Sequence, residues 1–223
     1  MRSTRGNILF LILLAVVLFA ALSYAVTQSL RGGGKDATSE SFGAYASQLL
    51  QYAGLLENTF MRQMLVADVK DYGFDISADN NAWVQNNSCT NINCRLFNKS
   101  AREGLTTSLE LPAKYMASGD GRATFRVASV VNIGTSAEDL ILLYRSISLP
   151  LCNAINAQLG INPDLANDEG YGGTITNYSG TLTAMPVSGS IIGNDITSLA
   201  NQKAGCFRHS NDGYVFFYVL LAR

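Results

Sequence analysis

The most prominent feature of the hydrophobic pattern is an uninterrupted apolar segment near the N-terminus. The nineteen residues from Ile8 to Val26 contain no charged side chain. As an α-helix this segment is about 28 Å long, close to the hydrocarbon thickness of a bilayer. Arg2 and Arg5 lie directly before it, and the basic residues beyond it are partly offset by acidic ones. The pattern predicts a transmembrane helix over residues 7–30, with a cytoplasmic N-terminus and an exported remainder.

A second helical pattern follows three consecutive glycines, Gly32 to Gly34. Glycine lowers helix stability by roughly 1 kcal/mol relative to alanine, so residues 31–37 are predicted to form a hinge or a plain linker. From residue 38 to about Lys70, apolar residues recur at spacings of three and four, which predicts an amphipathic helix ended by Gly73. The stripe comprises Phe42, Ala46, Leu49, Ala53, Leu56, Phe60 and Met64.

The remaining elements are shorter. Residues 122–133 and 214–222 are rich in β-branched and aromatic residues and are predicted strands. The second is apolar on both faces and is therefore expected to be central or covered. Ser148, Pro150 and Gly160 mark the start and end of a short helix. Residues 75–98 are predicted to be surface loops, and residues 136–149 fit either a helical turn or a strand.

Composition narrows the classes of function. Hydrophobic residues make up 48% of the chain, charged residues only 15%, and the net charge is −1. Without a basic run, the chain is a poor candidate for binding nucleic acid, which depends on neutralising phosphates. A single histidine and four cysteines provide few ligands for the metal site of an enzyme. This composition is typical of a low-charge protein that works outside the cytoplasm.

The extreme N-terminus adds a specific resemblance. A short basic leader, MRSTRG, ends in Gly6 and is followed at once by Asn7 and the apolar segment. This arrangement resembles the class III signal of type IV pilins and type II secretion pseudopilins. The resemblance implies that a prepilin peptidase cuts between Gly6 and Asn7 and that the apolar helix is retained for assembly. The implied assembly residues are Ile8, Leu11, Leu14, Val17, Leu18 and Leu22.

Two positions depart from the family pattern. Asn7 stands where the family usually has Phe or Met, and Leu11 stands where it usually has Glu. In the family that Glu is thought to pair with a neighbour's N-terminal amine, since a carboxylate in lipid needs a partner. Leu11 therefore favours a minor pilin or pseudopilin over a major pilin.

Two other interpretations of the N-terminus remain open. Ser23-Tyr24-Ala25 supplies small residues for an ordinary signal peptidase, which would leave Val26 as the first mature residue. Alternatively, the segment is an uncut signal anchor. In either case the remainder would be an exported or membrane-anchored binding domain.

The predicted fold is α+β. After a leader (residues 1–6), a transmembrane helix (7–30) and a Gly-rich hinge (31–37), residues 38–223 form the head, in which an amphipathic helix packs on a mainly antiparallel sheet. The resemblance implies a single-pass protein of the bacterial inner membrane with a periplasmic or extracellular head. The expected partners are other pilin-like subunits, prepilin peptidase and the membrane, and no nucleic acid is expected.

Four cysteines in an exported domain predict two disulfides, for which the sequence allows three connectivities. Cys89 and Cys94 enclose four residues of a polar loop and suit a local bridge. Many type IV pilins and their relatives have a long-range bridge near the C-terminus. The resemblance thus implies the second pair, Cys152 with Cys206.

Two further groups of residues are candidates for a catalytic or metal site. His209 lies near Ser210 and Asp212, but a polar hairpin turn explains this segment better than a triad, whose members come from separate segments. Asp164, Asp168 and Glu169 form an acidic loop that lacks EF-hand spacing and fits a solvated loop better than a calcium site. The sequence predicts no catalytic residue, metal or cofactor.

Overall fold

The computed structural model describes residues 5–70, 73–76, 89, 91–98, 105, 108–135, 137–162, 167–168, 176–177 and 191–223. In the first helix, side chains are described for residues 10–24 and 39–66. The chain divides into two compact units, Met1–Ser41 and Phe42–Arg223. The second unit is the head and has an α+β fold, as predicted.

The first helix, α1, is longer than the sequence suggested. The two predicted helices are a single α-helix of 62 residues, Arg5–Val66, whose backbone stays helical through Gly32 to Gly34. The glycines weaken a helix, but extending an existing helix requires no new nucleus. A hinge at residues 31–37 stays a prediction.

The C-terminal end of α1 comes earlier than predicted. The helix ends at Val66 and not near Lys70, because Asp68 adopts a left-handed conformation with φ of 51°. The N–H of Val69 then donates to the carbonyl of Gln63 at 3.3 Å, which satisfies one of the terminal carbonyls.

The head contains a six-stranded sheet with the order β3-β1-β2-β6-β5, to which β4 adds beside β1. Its strands are β1 (Thr124–Val130), β2 (Asp139–Ile147), β3 (Thr176–Asn177), β4 (Ile191–Ile192), β5 (Ala204–His209) and β6 (Gly213–Leu221). The pairings between these six strands are antiparallel except for the parallel pairing of β4 with β1. The ambiguous segment 136–149 therefore contains a strand, β2.

The short helix predicted between Ser148 and Gly160 is confirmed as α2, Leu149–Leu159. Ser148 occupies the N-cap position without a side-chain capping bond, and Pro150 lies in the first turn. Gly160 ends the helix with φ of 68°, a left-handed conformation that glycine adopts without steric cost.

The sheet carries a hydrophobic core on each face. On one face, Phe216 and Leu220 of β6 join a cluster that includes residues of α1 and α2. On the other face, Val215, Phe217 and Val219 pack with residues from β1, β5 and the segment after β4. The prediction that the last strand is central or covered is confirmed, since β6 lies between β2 and β5 and has a core cluster on each face.

One predicted loop contributes to the core instead of the surface. Within residues 75–98, Leu96 and Phe97 are buried, as is the preceding Phe74. Backbone bonds between Asp75 and the segment around Cys94 hold these residues in place. The prediction of surface loops was therefore wrong for these residues, whereas residues 77–88 and 90 lie outside the described part of the chain.

Candidate functional site: the first helix and its attachment to the sheet

The N-terminal part of α1 presents a long row of exposed apolar side chains. The exposed fraction is 57% for Leu11, 48% for Leu14 and 75% for Phe19. The other predicted assembly residues with described side chains, Val17, Leu18 and Leu22, are also exposed. The backbone of Gly6, Asn7 and Ile8 is helical, and their side chains lie outside the described set.

Among the described residues, no helix combines the length and the apolar character needed to cross a membrane.

Within the head, α1 buries the stripe that the sequence predicted. Ala46, Leu49, Ala53, Leu56 and Phe60 are fully buried. The stripe begins and ends with Phe42 and Met64, which are partly buried against the same core. The spacing of three and four residues places these side chains on one side of the helix, where they meet the sheet.

A charged group fixes this part of α1 to the far strands of the sheet. Glu57 accepts a hydrogen bond from the Tyr218 hydroxyl at 2.7 Å and forms an ion pair with Lys203. Burial and the bond to Glu57 both raise the pKa of Tyr218, so the phenol stays a donor. The Lys203 ammonium also lies 5.7 Å from the Tyr218 ring centre. These contacts limit rotation of the helix about its own axis.

Tyrosine hydroxyls attach the loop before β1 to its neighbours. Tyr144 of β2 donates to the Leu109 carbonyl at 2.7 Å, and Tyr45 of α1 donates to the Glu110 carbonyl at 3.4 Å. The Tyr45 ring stacks on Tyr115, with ring centres 3.9 Å apart. Burial raises the pKa of Tyr144 well above its usual value, so its hydroxyl remains a hydrogen-bond donor.

Helix α2 holds α1 near the start of the head. The side-chain amide of Gln158 donates to the Gly43 carbonyl at 2.6 Å. The Ser47 hydroxyl lies 3.1 Å from the Gln158 side-chain oxygen, to which it donates. These contacts join the two helices through polar groups.

The opposite side of α2 is fixed to β5 by a disulfide and an amide. Cys152 is bonded to Cys206, and their Cα atoms are 5.4 Å apart. One turn later, the buried Asn156 side chain donates to the Cys206 carbonyl and accepts from the Cys206 N–H, both at 2.8 Å. The amide therefore satisfies both backbone groups of the disulfide-bonded residue.

The second disulfide joins Cys89 to Cys94, and the structure thus contains both expected bridges. It closes a short loop in which the Asn91 side chain caps the 3₁₀ turn Ile92–Cys94. The neighbouring Arg95 pairs with Asp75 through a parallel β-bridge, which connects this loop to the segment after α1. The Cys89–Cys94 disulfide thus shapes a local loop.

The two other candidate groups have structural contacts. His209 ends β5, and its Nδ1 accepts the N–H of Asp212 at 3.2 Å, which is the expected hairpin turn. Asp168 is fully buried and accepts the N–H of Gly193. Asp164 and Glu169 lie outside the described residues. No cluster of three or more potential metal ligands occurs in the described part of the chain.

No protein family, curated protein or solved structure matches this chain.

The sequence did not single out the polar residues that fix α1 and α2. Asn156 adjoins the apolar face formed by Cys152 and Ile155, and an amide in that place is an available signal of a buried hydrogen-bonding site. Glu57 gives no such signal. Its partners, Lys203 and Tyr218, are far away in sequence and come close only when the sheet forms.

Proposed function

We propose that this protein is a pilin-like structural subunit, a minor pilin or pseudopilin, of a type IV pilus or a type II secretion-like assembly. The observation that carries the proposal is the basic leader, which ends in Gly6 directly before the uncharged segment Ile8 to Val26. Helix α1 includes this segment and continues into the head, where its second half is part of the core. The role is structural and not catalytic.

The apolar segment serves two successive environments. Before assembly, Ile8 to Val26 holds the subunit in the bacterial inner membrane, with the head on the periplasmic side. Prepilin peptidase removes the leader after Gly6 on the cytoplasmic side. After assembly, the same side chains pack against the helices of neighbouring subunits. Exposed apolar residues such as Leu11 and Phe19 suit both environments, because neither the membrane interior nor a helix–helix interface contains water.

Leu11 limits the role to a minor or conditional subunit. In lipid, a carboxylate that meets a free amine gives each incoming subunit an axial register, because water does not compete for the pair. Leucine provides no such partner, and packing between apolar helices in lipid is weakly directional. Register then comes from head contacts or from other subunits.

The connection between the second half of α1 and the rest of the head supports this role. The α1 core stripe, the Glu57 contacts and the Gln158 contact fix the helix at three separate places in the head. A subunit that is pulled or pushed through its N-terminal helix needs such a connection, since otherwise the helix would slide within the head.

Determination of the mature N-terminus tests the proposal. The full chain is produced with a prepilin peptidase, purified in detergent and analysed by intact mass and N-terminal sequencing. The expected first residue is Asn7. An ordinary signal peptide would give Val26, and an uncut anchor would give Met1.

Two matched variants identify the enzyme responsible. Gly6→Val removes the residue required by prepilin peptidase, whereas Ala25→Leu removes the small residue required by signal peptidase. We expect only Gly6→Val to leave an unprocessed precursor. If only Ala25→Leu blocks processing, the pilin-like proposal is wrong and the exported binding domain replaces it.

A further inference from the structure

Asp139, the first residue of β2, is a carboxyl group completely removed from solvent. The preceding residue, Glu138, has an exposed fraction of only 1%. Carboxylates are rarely buried without strong partners, because loss of hydration disfavours the charged form. A buried pair of adjacent acidic residues at the start of a central strand therefore requires a specific explanation.

The carboxyl group of Asp139 holds the segment that follows the last strand, β6. Its Oδ1 accepts the backbone N–H of Arg223 at 2.9 Å. The carbonyl of Arg223 in turn accepts the N–H of Thr135, in the turn between β1 and β2. Gly134 is left-handed, with φ of 59°, and a Cβ there would collide with the Arg223 backbone. The turn and this segment therefore fit closely together around Asp139.

The second oxygen, Oδ2, is buried and has no hydrogen-bond partner among the described residues. Arg223 supplies the opposing positive charge, and Glu138, directly before β2, is the neighbouring acid. Across the pairing, β1 presents Ala128 and the Val130 backbone, which do not titrate. One oxygen therefore has a backbone donor, whereas burial of the other without a hydrogen-bond partner disfavours the charged form of the carboxyl group more than the neutral form.

We infer that Asp139 is a proton-dependent latch, which holds Arg223, two residues after β6, against the 133–135 turn when the carboxyl group is protonated and releases it when the group is ionised. Local opening of the segment around Arg223 would let water reach the carboxylate without unfolding the head. This inference does not depend on the proposed assembly role.

The direction of the effect follows from the protonation equilibrium. Burial raises the pKa of Asp139 to about 6, and the backbone N–H groups of Arg223 and Val130 and the charge of Arg223 offset this only in part. Because the pKa in the closed state is higher than in the opened state, closure is favoured most below about pH 4 and loses this advantage as the pH rises through about 6. The opening equilibrium should rise about tenfold per pH unit in this window and level off above it, about 100-fold in total.

Amide hydrogen exchange of the full chain in detergent micelles measures this opening. Protection of the Thr135 and Arg223 amides, corrected for intrinsic exchange, is expected to fall about 50-fold between pH 4 and pH 7. Asp139→Asn keeps an oxygen acceptor but cannot ionise, so its protection should be independent of pH. Glu138→Gln is the matched control and should retain the pH dependence of the wild type.

Two results would overturn the inference. One is wild-type protection that does not change between pH 4 and pH 7; the other is pH dependence lost in Glu138→Gln but kept in Asp139→Asn. If Asp139→Asn does not fold, the wild type still decides the matter by carbon-13 NMR of labelled aspartate. An Asp139 carboxyl group that titrates below about pH 4.5 contradicts a latch of this kind.

Discussion

The two disulfides should differ strongly in their contribution to stability. Cys152 and Cys206 are 54 residues apart, whereas Cys89 and Cys94 are only 5 apart. A cross-link restricts the unfolded chain more when it closes a longer loop. Replacing both cysteines of one bridge by alanine, while the other bridge is left intact, isolates each contribution.

The expected magnitudes follow from loop-closure entropy. For the 54-residue separation the lost entropy is about 14 cal/mol/K, or about 4 kcal/mol at 25 °C. For the separation of 5 residues it is about 7 cal/mol/K, or about 2 kcal/mol. Both Cys152 and Cys206 are fully packed, so their truncation adds a small cavity cost. The long-range bridge should therefore stabilise the head by at least twice as much as the local one.

Urea unfolding of the full chain in a nonionic detergent, followed by circular dichroism, measures the difference. The variant without Cys152 and Cys206 should also show the larger m-value, because its unfolded state is less compact. Domains of this size are typically stable by about 5–15 kcal/mol, so a loss of about 4 kcal/mol is readily measured. Equal losses for the two variants, or a larger loss for the Cys89–Cys94 variant, would refute the loop-entropy argument.

Two further predictions concern α2 and the assembly helix. Asn156→Ala leaves the N–H and carbonyl of Cys206 without their partner, and since each unpaired buried group costs about 1–3 kcal/mol, a loss of roughly 3 kcal/mol is expected in the same urea assay. Asn153→Ala, on the exposed side of the same helix, should change stability by less than about 0.5 kcal/mol, and a similar loss in both variants would contradict the role of the amide. For the assembly helix, the chain is expressed with a prepilin peptidase and an assembly ATPase but no other pilin, and sheared material is examined by electron microscopy. The unmodified chain should form no abundant fibres, whereas the Leu11→Glu variant should form them. Abundant homopolymers of the unmodified chain would show that register does not require that carboxylate.

The sequence predicted the elements whose signals are local. The stripe from Phe42 to Met64, helix α2 and strand β6 each carry a periodicity or capping pattern that depends on neighbouring residues alone. Strand β2 stayed ambiguous because nearly all of its residues are buried, so the apolar run lacks the alternation of a half-exposed strand. The early end of α1 depends on the conformation of Asp68, which aspartate adopts less often than glycine.

Strand β5 and its contacts were beyond sequence reasoning. Gly205 lies inside the strand, and the reason for a glycine there is visible only in the fold: a Cβ at this position would lie 2.9 Å from the Leu199 side chain and 3.1 Å from the Phe217 ring. Asn156 pairs with Cys206 because α2 packs beside β5, although the two residues are 50 positions apart. Contacts of this kind are set by topology, and a local pattern cannot encode them.

The hydrogen bonds of the Asn156 side chain also affect whether the sheets of neighbouring heads can join edge to edge. β5 is the last strand in the described order of the sheet, and the outer row of backbone groups on such a strand is a template for strand addition by another chain. Asn156 occupies both groups of Cys206, and the Asp168 N–H occupies the Arg208 carbonyl. An incoming strand would have to break these bonds before it could form its own. Heads held side by side at high local concentration could then touch through their side chains without their sheets merging into one.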